Sequence, residues 1–252
     1  MQYSTFAAID IGSYDVILEI FEISKKQGIR SVDKICHRME LGKDTYTLGK
    51  IRPEMEEELC RVLADFVRIM EGYRVDDYRA TASSAISEAS NSLYVLGKIH
   101  QLTGFSVTVL SNSEQRFLSY KALAAMEDNF NKIIEKGTAI LDLDGGSFQI
   151  SLFDKDALVT TQNIRMGSLR IRERLAGIQS ETEHYEEMVE ELIWNEVSSF
   201  KKMYLKDRKI ENIMLIGDVF TDSVYQNIEE KTTKIISREN FNTWYEKIIR
   251  QS

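Results

Sequence analysis

The chain has 252 residues, 43% of them hydrophobic and 29% charged, which suits one large or two ordinary folded domains and excludes a disordered chain. A formal charge of −8 argues against nonspecific nucleic-acid binding, which draws on a surplus of Lys and Arg. No apolar run approaches the roughly 20 residues of a membrane span and no basic segment leads into an apolar core, so a cytoplasmic protein is expected.

Residues 5 to 11 read as a buried strand. Ile17, Glu19 and Phe21 alternate with Leu18, Ile20 and Glu22 as in a second strand, and a turn at Lys25 to Gly28 feeds a third over Val32 to Met39. Pro53 suits the first turn of a helix whose apolar positions Leu59, Val62, Leu63, Phe66, Ile69 and Met70 recur until a stop at Gly72. A strand at Tyr78 to Thr81, a helix from Ser87 to Thr103 and a strand at Phe105 to Leu110 follow. Ser111 and Glu114 have the form of a capping box, opening a helix to Met126 that holds Phe117, Leu118, Ala122 and Ala125 on one side. The pattern then begins again, with strands at 138 to 142, 149 to 153 and 158 to 163, an acidic helix from Glu181 to Tyr204 and a strand at Asn212 to Ile216. Nothing resembles a floppy linker, so two lobes are expected, over 1–127 and 128–252, with a ligand cleft between them.

Phe6-Ala7-Ala8-Ile9-Asp10-Ile11-Gly12-Ser13 and Ala139-Ile140-Leu141-Asp142-Leu143-Asp144-Gly145-Gly146-Ser147 each run an apolar strand into an aspartate and a glycine turn. The carboxylate is a ligand for a magnesium ion, and the turn exposes backbone N–H groups to phosphoryl oxygens. Two such turns read as a phosphate clamp, with Asp10 and Asp142 as metal ligands and Gly12, Ser13, Gly145, Gly146 and Ser147 as ligand-binding residues. Cys36 and Cys60 stand at no metal-ligand spacing and read as reduced thiols, and the scattered His37, His100 and His184 read as ordinary histidines.

With Ala82 to Asn91, Val109 to Tyr120 and Arg165-Met166-Gly167-Ser168, these loops resemble the exopolyphosphatase and guanosine pentaphosphate phosphohydrolase (Ppx/GppA) family, within the superfamily of actin, sugar kinases and Hsp70. The resemblance implies an α/β fold of two ribonuclease-H-like lobes around a magnesium-dependent cleft. It also implies hydrolytic release of a terminal phosphate from polyphosphate or the guanosine alarmone pppGpp. A homodimer is among the assemblies it allows.

The family's crossing helix carries Ser-Gly-x-Glu-Glu-Ala, whose second Glu is the general base; here the stretch is Ser111-Asn112-Ser113-Glu114-Gln115-Arg116, and the base position is Gln115. In the second loop, Asp144 replaces a glycine, Phe148 a threonine and Gln149 a glutamate. Tyr14 replaces the first loop's asparagine, Ser87 stands at a phosphate-binding arginine, and Phe220 replaces a glycine in the third turn after Ile216. The catalytic positions are therefore Glu114, Gln115, Asp142 and Gln149, with hydrolysis expected to be weak or lost. Glu114 compensates only if the helix turns by about 100°. The chain also stops early for the family, so it reads as a fragment or as having a reduced second lobe.

Two alternatives stand beside this expectation. One is an active exopolyphosphatase or pppGpp phosphohydrolase using Glu114, Asp10 and Asp142 with Mg²⁺. The other is a phosphatase resembling the haloacid dehalogenases, with Asp142 as nucleophile, Asp144 as general acid, and Asp218 and Asp222 as metal ligands.

Overall fold

The computed structural model describes residues 3–127, 129–179, 184–206, 208–217 and 237–249. Its first half runs β1 (Ser4–Ile11), β2 (Asp15–Ser24), β3 (Gly28–Arg38), α1 (Leu41–Leu48), α2 (Pro53–Tyr73), β4 (Asp77–Ala82), α3 (Ser84–Ser87), α4 (Ser92–Thr103) and β5 (Val107–Val109). Helix α5 (Asn112–Met126) crosses to the second half, which comprises α6 (Phe130–Ile134), β6 (Thr138–Leu143), β7 (Phe148–Asp154), β8 (Ala157–Ile164), α7 (Ser168–Gln179), α8 (Tyr185–Phe200), β9 (Asn212–Ile216) and α9 (Arg238–Ile249).

One plan is used twice. The first sheet has the order β3-β2-β1-β4-β5 and the second β8-β7-β6-β9. In each, three antiparallel strands form a meander and the next strand pairs in parallel with the first of them. Asp10 lies between Ile17 and Thr81, and Asp142 between Gln149 and Ile216, each one residue from the end of its strand. The two aspartates thus hold equivalent places.

Period-two burial on β1 and β2 sends Ala7, Ile9, Ile11, Val16, Leu18 and Ile20 into one core, joined by Leu59, Leu63 and Phe66 of α2 and by Val95 and Ile99 of α4. Burying a side chain such as Leu63 contributes about 2 kcal/mol. The second sheet is covered on both faces. Phe148, Ile150 and Leu152 pack with Phe200, whereas Ile140 and Phe153 pack with Phe130 and Ile134 and with Tyr120 and Leu123 of α5.

Several elements differ from expectation. The stop of α2 falls at Arg74, which takes the left-handed conformation and donates its N–H to the carbonyls of Glu71 and Met70, while Gly72 lies inside the helix. The helix expected over Ser87 to Thr103 begins only at Ser92, as α4, with the short α3 ending at Ser87 before it; between them the Asn91 side chain bonds both the N–H and the C=O of Ile51. The expected acidic helix begins at Tyr185, and its end at Lys201–Leu205 is a π-helical turn. Two further helices, α1 and α7, carry no strong sequence signal. Helix α1 contains Gly42, Thr45 and Thr47, all poor helix formers.

Helix α5 turns a different side inward from the one its apolar residues suggest. Phe117 is 61% and Leu118 38% exposed, and Ala122 and Ala125 are exposed as well. The strand face beneath explains this, because Asp142, Gln149, Ser151, Thr161 and Asn163 follow one another across β6, β7 and β8. Polar side chains of α5 meet this stripe. Ser119 donates to Asp142 (3.3 Å), Tyr120 to Ser151 (2.5 Å) and Arg116 to Thr161 (3.2 Å).

Candidate functional site

The capping box at the start of α5 is present, and it engages the Glu114 carboxylate. That group accepts from the Ser111 N–H (2.8 Å) and Oγ (2.7 Å), and these bonds hold its pKa below the ordinary carboxylate value. The next residue, Gln115, faces a small solvent-open cavity together with Asn112 and Arg116 of the same helix. Asp142, Asp144, Ser147 and Gln149 form the facing wall, with Asn163 of β8 beside them. Gln149 is 8% exposed, and the buried Oδ1 of Asn163, its ladder partner, has no hydrogen-bond donor. Among the described residues, four carboxamides therefore surround two carboxylates.

Glu114 and Asp10 are not among the residues lining this cavity. Asp10 lies on the exposed end of β1, where its Oδ1 accepts from Thr81 (3.4 Å). The first glycine loop closes tightly, with the Gly12 N–H donating to the Asp15 carbonyl (3.0 Å), and a Cβ at Gly12 would lie 2.8 Å from that oxygen. Ser13 has no exposed surface. Its hydroxyl bonds Tyr46 Oη (2.7 Å) and Ser84 Oγ (3.2 Å), which bond each other (2.8 Å).

In the second loop the Asp144 carboxylate accepts from the Gly145 N–H (2.6 Å), so the residue standing in place of a glycine occupies a donor that the clamp reading reserves for a phosphoryl oxygen. A Cβ added at Gly145 would lie 3.4 Å from the Cβ of Ser13 and of Tyr14, ordinary van der Waals contact. Gly146 sits against the hydroxyls of Tyr46 and Ser84, close enough that any side chain there would collide with both. The two glycine turns expected to form a clamp thus lie side by side.

Helix α7 fixes this arrangement. Arg170 donates through Nε to the Gly146 carbonyl (2.8 Å), pairs with both oxygens of Glu88 (3.1 Å each) and lies 3.7 Å from the centroid of the Tyr46 ring. Two residues on, Arg172 pairs with Glu40 (2.6 and 3.0 Å). Two arginines of the second half thereby hold two glutamates of the first. Burial raises the Tyr46 pKa, so its hydroxyl keeps its proton at neutral pH.

The Arg172 pair makes a pH prediction. The guanidinium holds the Glu40 carboxyl below its ordinary value of 4.5. A lowered folded-state pKa gives stability that is complete above 4.5 and is lost as pH falls through the lowered value. Solvent screening keeps the contribution to roughly 1 kcal/mol or less. In urea titrations, Glu40→Gln should therefore match the wild type in strong acid and fall below it near neutrality; equal offsets at both pH values would refute the assignment.

Divalent magnesium takes hard oxygen ligands, often one or two carboxylates with water and substrate phosphates completing the shell. The donors in the cavity fit such an ion: Asp142 and Asp144 supply carboxylates, and the donor-less Asn163 Oδ1 supplies a neutral oxygen. Among the described residues no three His, Cys, Asp or Glu side chains converge, so a shell made wholly by acidic side chains is absent there.

Sequence reasoning did not single out Tyr46, Arg116, Asn163 or Arg170. Asn163 was within reach, since antiparallel pairing of the second and third strands sets it opposite Gln149. Asp218, Asp222 and Phe220, invoked for the third turn and the dehalogenase-like alternative, lie outside the described residues.

A repeated strand-meander plan, a carboxylate at the same place in each sheet and paired glycine turns at the lobe junction define an actin-like fold with a polar cleft. Residues 19–252 match the model of the Ppx/GppA phosphatase family, and the chain belongs to that family. This assignment replaces the dehalogenase-like alternative.

A bifunctional 3-dehydroquinate synthase/phosphatase of Fusobacterium nucleatum is 22% identical over 89% of this chain and 34% of its own length. Exopolyphosphatase 1 of Mycobacterium leprae is 25% identical over 57% of this chain and 41% of its own. The chain thus spans about a third to two fifths of these curated relatives.

An exopolyphosphatase from Cytophaga hutchinsonii superposes with a TM-score of 0.82 at 18% identity, covering 98% of this chain and 80% of that one. A Ppx/GppA family member from Aquifex aeolicus gives 0.71 at 21% identity, covering 98% and 79%. Among the described residues no helix is long and apolar enough to cross a membrane.

Proposed function

We propose that the cleft binds a phosphate-rich ligand, polyphosphate or a guanosine alarmone such as pppGpp, and that hydrolysis in it is weak or lost. One observation carries this reading. At the positions where the family resemblance calls for carboxylates the cavity presents Gln115 and Gln149, and the neighbouring Glu114 is engaged in the helix cap. An amide can orient a water molecule but cannot accept its proton. General-base catalysis is worth roughly 10² to 10⁴ in rate.

The groups suited to holding phosphate remain. Arg116 offers a cation, Asn112 and Ser147 offer neutral donors, and Asp142 with Asp144 would hold a magnesium ion. When bound, such an ion neutralises phosphoryl charge. The family's exopolyphosphatases favour polyphosphate as the ligand.

A second reading rests on the same cavity. Asp142 and Asp144 are both in its wall, and a carboxylate there is able to accept a proton from water, which would make the chain an active phosphohydrolase. The two are separated by measuring free phosphate from long-chain polyphosphate, and separately from pppGpp, in the presence of Mg²⁺. The first reading expects release at least about tenfold slower than from an active relative, with a rise in melting temperature when polyphosphate is added. Release at the relative's rate would establish the second. No release and no thermal shift with either compound would remove both.

A further inference from the structure

We propose that a second ligand site lies beside the cleft, where the turn after β8 meets α7 and α8, and that it takes a small phosphate monoester with an apolar body. A solvent-open pocket there has Met166, Ile171 and Leu192 as its apolar surface and Arg165, Arg170 and Arg174 as its polar groups. None of the six lines the cavity that holds Asp142, so the two sites are separate.

Charge singles this pocket out. In a chain of net charge −8, three guanidinium groups line it and, among the described residues, no carboxylate does. Other arginines of this helix have acidic partners, Arg170 with Glu88 and Arg172 with Glu40 and Glu173. Arg165 and Arg174 are both exposed, and among the described residues neither has a hydrogen-bond or ion-pair partner. Two unpaired guanidiniums on one pocket call for a ligand oxyanion, and their planar forks match phosphate and carboxylate geometry. A phosphate monoester brings close to two negative charges at neutral pH, about one for each.

The apolar surface determines the rest of the ligand. Ile171 is buried and Met166 packs into the core cluster of the second sheet, so both are held in place, and the thioether adapts to a flat or branched partner. Inorganic phosphate leaves these side chains uncovered, whereas an aryl or alkyl group covers them. Arg170 completes the wall while its Nε holds the Gly146 carbonyl, so the pocket shares a residue with the anchor of the second glycine loop.

Titration calorimetry with phenyl phosphate on the whole chain tests the proposal. The wild type should bind it, and bind inorganic phosphate more weakly. Arg165→Ala/Arg174→Ala alters only exposed side chains and should weaken phenyl phosphate binding about tenfold or more, whereas Asp142→Asn should leave it unchanged. Four results would overturn the proposal: no binding by the wild type, equal binding by the double arginine variant, loss in Asp142→Asn, or inorganic phosphate binding as tightly as phenyl phosphate.

Discussion

Changing Gln115 and Gln149 together to glutamate should raise phosphate release from polyphosphate by roughly 10² or more, the lower end of what a positioned general base supplies. Both side chains already face the cavity that holds Asp142 and Asp144, so the exchange alters proton affinity with little change in shape. On the proposed reading, in which the family resemblance puts the base at this position, the Gln115→Glu change alone should account for most of the gain. Gln149 is only 8% exposed and paired across the ladder with Asn163, whose side-chain amide is able to donate to a new carboxylate. Rates for the double variant equal to the wild type would place the deficit elsewhere, with the close approach of the two glycine loops as the leading cause.

Gly167→Ala should destabilise the protein by about 1–3 kcal/mol and abolish any thermal shift with polyphosphate. A Cβ at this position would lie 2.3 Å from the Asp144 carbonyl oxygen and 2.4 Å from both the Gly145 carbonyl carbon and the Ser147 nitrogen. Those atoms are backbone, so no side chain can swing aside and the whole second loop must move. The control is Gly97→Ala in the interior of α4, where nothing lies within 4 Å of the added carbon. It should stabilise by about 0.5–1 kcal/mol, through helix propensity alone. Equal denaturation midpoints for the two variants would show that the Gly167 crowding is relieved at no cost.

The strands were legible because burial on a sheet has a period of two, and β1 and β2 state that period clearly in Ile9, Ile11, Val16 and Leu18. The cap of α5 was legible because Ser111 and Glu114 carry it locally. What escaped depends on distant partners. Helix α1 is held by the packing of Leu41 and by the buried Asp44, which accepts from the Arg52 N–H (2.9 Å), and neither announces a helix in the sequence. Just before α4, the Asn91 side chain reaches back to Ile51.

Within the site, composition revealed the amides at Gln115 and Gln149, since each stands at a motif position. It did not reveal that α5 buries a polar side over a polar strand face, nor that Asn112, Arg116 and Asn163 complete the same wall. The tie from Arg170 to Gly146 and Glu88 joins residues 24 and 82 positions apart, beyond the range of any periodicity.

The Ser111 cap limits where an acid can be placed on α5. Because it ties Glu114 to the first turn of α5, sliding or rotating the helix does not bring that carboxylate into the cavity, and on the proposed reading a proton acceptor on this helix has to come from a change at Gln115 itself. Glutamine and glutamate codons differ only in their first base. A glutamate at each of Gln115 and Gln149 is therefore one nucleotide substitution away.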